Sequence, residues 1–140
     1  MNSKPNAITF AFRRPRFPLI CDLDGDLFAA ESAAALQRRL GRMDLPDREK
    51  MQFVDTSGES WMILPDEMIL APEFPMRRWR KIEIINLFNG SRVANERGLH
   101  YQERSLGNRR LDRIVREIAA LLTREKRKRV RLVLESDEKL

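Results

Sequence analysis

An Asp-Gly pair between two apolar runs is among the strongest short-range constraints a chain can carry. Here it lies at Asp24-Gly25, inside LICDLDGDLF, residues 19–28. Glycine reaches positive φ without a steric penalty, so Asp-Gly closes a two-residue hairpin turn, with LICDL as one strand and DLF as its return. A helix is expected next. Ser32 is placed to cap AAALQRRL, and Gly41 stands where a helix often stops in the left-handed conformation. Pro18 to Gly41 is therefore read as a strand, a turn, a strand and a capped helix, and the rest of the chain must pack around that unit.

Upstream, Ile8, Phe10 and Phe12 alternate with smaller residues in the period of a strand, until RRPRFP breaks the ladder. Downstream, Met51 and Phe53 on one side and Trp61–Leu64 on the other flank DTSGES, a second hairpin with Gly58 at its turn. MILPDE and MILAPE form a near-repeat, too short and too few for a repeat architecture, and read as a strand, a turn and another strand. Trp79, Ile82, Ile84 and Leu87 in RRWRKIEIINLF suggest a long strand ended by Asn89-Gly90. Residues 91–107 read as a loop or a short irregular helix. Leu111, Ile114, Val115, Ile118, Leu121 and Leu122 then recur at i, i+3, i+4, i+7, the apolar stripe of an amphipathic helix. Val130, Leu132 and Leu134 alternate as a last strand.

These elements predict an α+β fold: a largely antiparallel sheet built from hairpins, packed on one face by one short and one long amphipathic helix. Residues 1–16 are expected to form a basic N-terminal arm or edge strand, 17–135 a single domain, and 136–140 a tail. At 140 residues such a domain can bury a core without a disulfide or a structural metal. No apolar run reaches the ~18–20 residues of a transmembrane helix. The lone Cys21 cannot form an internal disulfide; it reads as a small buried hydrophobe in a reducing, cytoplasmic setting. One cysteine and one histidine exclude a Cys/His zinc site. His100 has no partnered nucleophile and reads as a loop residue.

The residues with the most chemical content near the first turn are Asp22, Asp24 and Asp26. CDLDGDLF resembles the first motif of the haloacid-dehalogenase-like hydrolases, an apolar strand running into Asp-x-Asp-Gly-Thr. The resemblance implies Asp22 as nucleophile toward a phosphoryl group, Asp24 as general acid/base, and Gly25 as the residue that permits the turn. It spans about ten residues. The family's threonine is replaced by Asp26, a further negative charge beside a site for phosphate. Later motifs are matched only loosely, by Thr56 or Ser57 for phosphate, Lys81 for the lysine, and LVLESDEKL for the acidic metal-binding stretch. The aspartates have the 1-3-5 spacing of a calcium loop, but the glycine stands at position 4 and Ala33 at position 12, where that loop needs glycine at 6 and glutamate at 12. Glycine-rich nucleotide-binding and HExxH patterns are absent. No cofactor or metal is expected.

Charge points elsewhere. The formal net charge is +6, and it is concentrated: residues 104–131 hold eleven basic and three acidic side chains. At about 100° per residue, Arg109, Arg113, Arg116, Arg124 and Arg127 share one arc of roughly 80° opposite the apolar stripe. Such a ridge can neutralise phosphates or an acidic protein surface. No RNA-recognition, KH or zinc-finger signature accompanies it, and no aromatic residues are interleaved for stacking. The expected function is that of a small non-catalytic module binding a macromolecular partner, an acidic protein surface ahead of nucleic acid. A divergent phosphohydrolase using Asp22 and Asp24 is the third reading.

Overall fold

The computed structural model describes residues 7–102 and 109–123. Among the described residues six strands form one sheet: β1 (Thr9–Phe10), β2 (Leu19–Leu23), β3 (Asp26–Ala30), β4 (Met51–Val54), β5 (Ser60–Leu64) and β6 (Ile69–Pro72). Their order is β1-β6-β5-β4-β2-β3. Every pairing is antiparallel except β1 with β6. Among the described residues four α-helices accompany it: α1 (Ala33–Leu40), α2 (Lys81–Asn89), α3 (Arg92–Arg97) and α4 (Leu111–Thr123). The expected α+β architecture is present, and all three hairpins form where the sequence places them.

β2 is paired on both edges, with β3 and β4, and a core cluster lies on each of its faces, so LICDL is apolar at nearly every position. Leu19, Cys21 and Leu23 point to one face with Phe53, Trp61, Ile63 and Leu70, where α1 adds Leu36 and Leu40. Ile20, Leu27 and Val54 point to the other, against Ile84, Ile85 and Phe88 of α2 and the stripe of α4. The short and the long helix thus cover opposite faces of the sheet, rather than sharing one. The α4 stripe is as expected: Ile114, Val115, Ile118, Leu121 and Leu122 are all buried.

The Ser32 cap forms, its Oγ accepting the Ala35 N–H at 3.1 Å. Gly41 differs from expectation, remaining right-handed at φ −67°. Hydrogen bonds from Arg42 N–H to Arg39 C=O and from Met43 N–H to Leu40 C=O continue the turn past it, so no left-handed residue is required there. Gly98, at φ 68°, supplies the left-handed end of α3 instead.

The larger correction is α2. Trp79 to Leu87 suggest a strand because Ile82, Ile84 and their neighbours mimic alternation. The buried set is Ile84, Ile85 and Phe88, a helical spacing. The entry is fixed by the Arg80 N–H donating to Glu83 Oε1 at 2.7 Å, three residues ahead, which satisfies a donor the helix would otherwise leave open. Before it, the Trp79 N–H donates to Gly58 C=O at 2.7 Å. Within residues 91–107 the described part holds α3, capped by Ser91 Oγ accepting from the Ala94 N–H. The predicted strand at 130–135 lies outside the described residues. The strand expected from Ile8 to Phe12 shrinks to Thr9–Phe10, because the chain turns sharply at Phe12.

Candidate binding pocket

The sheet has two ends with opposite chemistry. At one end, Asp24 (φ 52°) and Gly25 (φ 98°) close the β2–β3 turn, and Asp22 Oδ1 accepts the Gly25 N–H at 3.0 Å. Desolvation raises the Asp22 pKa, the Gly25 hydrogen bond opposes this, and Asp24 and Asp26 raise it further. Asp26 pairs with Arg92 at 2.6 Å, and Asp24 is exposed. Both neighbours of β2 run antiparallel to it. Thr56 and Ser57 follow β4, whose end pairs with the start of β2, so they lie a strand's length from Asp22 and Asp24. Lys81 donates to Arg109 C=O at 2.9 Å. Among the described residues, those matched to the hydrolase motifs do not converge, and LVLESDEKL lies outside the described residues. Among the described residues no three His, Cys, Asp or Glu side chains group as a metal site.

The described members of the arginine ridge divide between the interior and solvent. Arg109 precedes α4, so helical phase does not govern it, and its side chain is only 10% exposed. It donates to Glu117 Oε1 at 2.9 Å, beside the Tyr101 hydroxyl at 3.0 Å. Arg113, 64% exposed, holds Glu117 Oε2 at 3.0 Å. Arg116 faces solvent, while Arg124 and Arg127 lie outside the described residues. Arg109 therefore turns inward, against the solvent-facing placement expected of it. His100 is exposed in the loop after α3, and Cys21 is buried, its thiol pKa pushed well up by desolvation.

At the opposite end, the sheet brings together three segments that the sequence keeps apart. β1 and β6 are parallel, so the chain leaves both at one end, and the end of β6 aligns with the start of β5. Residues 11–16, the β4–β5 loop 55–59, and residues 73–78 meet there. Asp55 is buried and accepts five hydrogen bonds. Oδ1 takes the Ser57 N–H (2.9 Å), the Ser57 hydroxyl (2.6 Å) and the Glu59 N–H (3.1 Å); Oδ2 takes the Arg16 N–H and the Trp61 indole N–H, both at 3.1 Å. The Thr56 N–H returns a bond to Arg16 C=O, so the basic segment is strapped to the loop from both sides. Gly58 must be glycine: φ is 87°, and a Cβ would lie 3.2 Å from Leu111 and from Trp79 C=O.

Glu59 is also buried, and Arg13 holds both of its oxygens in a forked pair. Glu59 thereby raises the Arg13 pKa, against the desolvation that lowers it. The Arg13 guanidinium lies over the Trp61 ring at 5.5 Å, and that of Arg14 over Phe10 at 4.8 Å. Arg78 donates to Ser57 C=O at 3.2 Å. Together Arg13, Arg14, Arg16, Asp55, Ser57, Glu59 and Arg78 line a pocket of about 310 Å³. Beside the arginines in sequence stand the exposed large hydrophobics, Phe12 and Phe74 (each 93% exposed) and Met76 (57%). Phe12 has φ 74°, with the Arg13 N–H donating to Ala11 C=O at 2.9 Å across it, a three-residue turn of a rare kind that displays its ring.

In the sequence alone, RRPR reads as a strand breaker and DTSGES as a plain hairpin loop. The available signal is a pair of acids, Asp55 and Glu59, embedded in an apolar context between FV and SW, where carboxylates need dedicated donors. Comparison of the chain with protein-family models, with curated proteins and with solved structures finds no match.

Proposed function

We propose that this protein is a small non-catalytic module that docks an acidic protein partner on the arginine-lined end of its sheet. The observation that carries this reading is the juxtaposition of Arg13, Arg14, Arg16 and Arg78 with the displayed side chains of Phe12, Phe74 and Met76. Arginine, aromatic residues and methionine are the types enriched at protein interfaces, whereas lysine is depleted, and the pocket contains no lysine. The buried carboxylates serve the surface by holding it in place: Asp55 fixes the backbone at residue 16 and in the loop, and Glu59 fixes the Arg13 guanidinium. A preorganised arginine loses less freedom on binding. Nucleic acid is the other anionic partner, and the same surface would meet it through phosphates and stacked bases.

The test is a titration of the full chain against a fluorescent peptide rich in glutamate and leucine, and against single-stranded nucleic acid, at ~0.15 M salt. The peptide is expected to bind saturably, with affinity reduced at least ~10-fold in R14E/R16E, a loss of ~1.4 kcal/mol. Nucleic acid is expected to bind no tighter than ~10 µM, as nonspecific electrostatic association does. Submicromolar, arginine-dependent binding of nucleic acid with no response to the peptide would reverse the assignment.

A further inference from the structure

Docking of an acidic partner does not by itself say what enters the pocket. Both carboxylates there are already engaged, Asp55 by five donors and Glu59 by Arg13. The donors left to face a ligand belong to Arg14, Arg16 and Arg78. Among the described residues neither Arg14 nor Arg16 has an acidic partner, and Arg78 uses one N–H on Ser57 C=O. Four guanidinium groups against two carboxylates leave the pocket doubly positive. A partner's aspartate or glutamate would neutralise only half of that excess.

We infer, with the docking surface as premise, that the pocket takes a phosphoryl dianion carried on a side chain of the protein partner. A phosphomonoester bears about −1.5 to −2 charge at pH 7 and offers three acceptor oxygens, a match in charge and donor number for three arginine forks. Arginine suits this role better than lysine because its planar fork pairs with two phosphate oxygens at once. A volume of about 310 Å³ lies at the small end of ligand pockets, enough for the phosphoryl group and the carbons that carry it. Phe12, Phe74 and Met76 stand outside the pocket, available to apolar residues on either side of the modified one.

Trp61 supplies a test. Its indole N–H bonds Asp55 beneath the pocket, whereas the amide of Gly25, in the turn at the other end of the sheet, serves as reference. The Trp61 indole N–H and Gly25 amide signals of the ¹⁵N-labelled full chain are followed during titration with inorganic phosphate. Three versions of one acidic peptide, with phosphoserine, serine or glutamate at its centre, are then compared, together with a 5′-phosphorylated single-stranded oligonucleotide. Phosphate is expected to move the Trp61 signal and leave the Gly25 amide in place. The phosphoserine peptide should bind at least ~10-fold tighter than the other two. R16Q/R78Q, which alters two exposed side chains and no buried one, should erase that preference while the protein stays folded. Equal affinity for all three peptides, still lost in R14E/R16E, would overturn the inference and leave the docking reading intact. Tighter binding of the oligonucleotide would assign the phosphoryl source to nucleic acid and overturn both. A Trp61 signal unmoved by phosphate up to ~20 mM, well above the ~1 mM affinity range of a small anion, would also overturn the inference.

Discussion

The two ends of the sheet hold carboxylates of the same kind in opposite circumstances. At the β2–β3 turn, Asp24 and Asp26 are exposed, and Asp22 receives a backbone N–H from Gly25. At the β4–β5 loop, Asp55 is buried beneath five donors, and Glu59 is buried against Arg13. The first end has the spacing of a catalytic motif, and the second has the environment of a built site. An acid's role follows from its burial and donors, because a carboxylate taken out of water is tolerated only where fixed partners replace its hydration. Sequence spacing carries none of that information.

The largest expected effect breaks the framework both ends share. Ile118 is fully buried between α4 and the sheet, so Ile118→Asp should abolish cooperative unfolding. An unpaired buried carboxylate costs several kcal/mol of the ~5–15 kcal/mol that a domain commands. A thermal midpoint equal to wild type would contradict the helix-on-sheet packing.

Next comes the contrast itself. Asp55→Asn should destabilise by roughly 2–4 kcal/mol, since an amide cannot accept from five donors and its NH₂ must face one of them. Asp24→Asn should change stability by less than ~0.5 kcal/mol, because the site is exposed and asparagine tolerates positive φ. Urea denaturation of the pair measures the difference. Equal effects would dissolve the distinction between the ends.

The smallest effect concerns pH. Burial raises the folded-state pKa of Asp22 above its unfolded value, so between the two values the folded form binds more protons. Stability therefore falls as pH rises through that window, and the penalty is complete above the folded pKa. Asp22→Asn keeps the acceptor for the Gly25 N–H and removes the penalty. At pH 7 the variant should match or exceed wild type by a few tenths of a kcal/mol, after allowance for solvent screening. The advantage should vanish below the ordinary carboxylate pKa of about 4. An advantage that instead grows on acidification would reverse the sign of this argument.

Local signals are legible in the chain wherever they are self-contained. Asp24-Gly25, the Ser32 cap and the Ile114–Ile118–Leu122 stripe are each decided within a few residues, and each forms as its pattern predicts. The α2 helix escapes local reading because Ile82 and Ile84 satisfy a strand's period while Ile84, Ile85 and Phe88 satisfy a helix's, and the choice is made by burial against α4. Arg109 departs from the ridge because it stands before the first residue of α4, where a helical wheel has no meaning. The pocket as an assembly escapes the sequence for a different reason, even though Asp55 and Glu59 in their apolar context mark one of its segments. Residues 13–16, 55–59 and 78 become neighbours only through the parallel β1–β6 pairing and the β4–β5–β6 meander, which no local pattern specifies.

The central claim is that the arginine-lined end is the working surface. Its most direct test is a backbone amide shift map of the ¹⁵N-labelled full chain with the acidic peptide added to saturation. The account predicts that the shifted amides cluster in residues 12–16, 55–59 and 74–78, where Arg13, Asp55, Glu59 and Arg78 meet. Shifts centred instead on Arg113 and Arg116, or on the turn from Asp22 to Asp26, would contradict it.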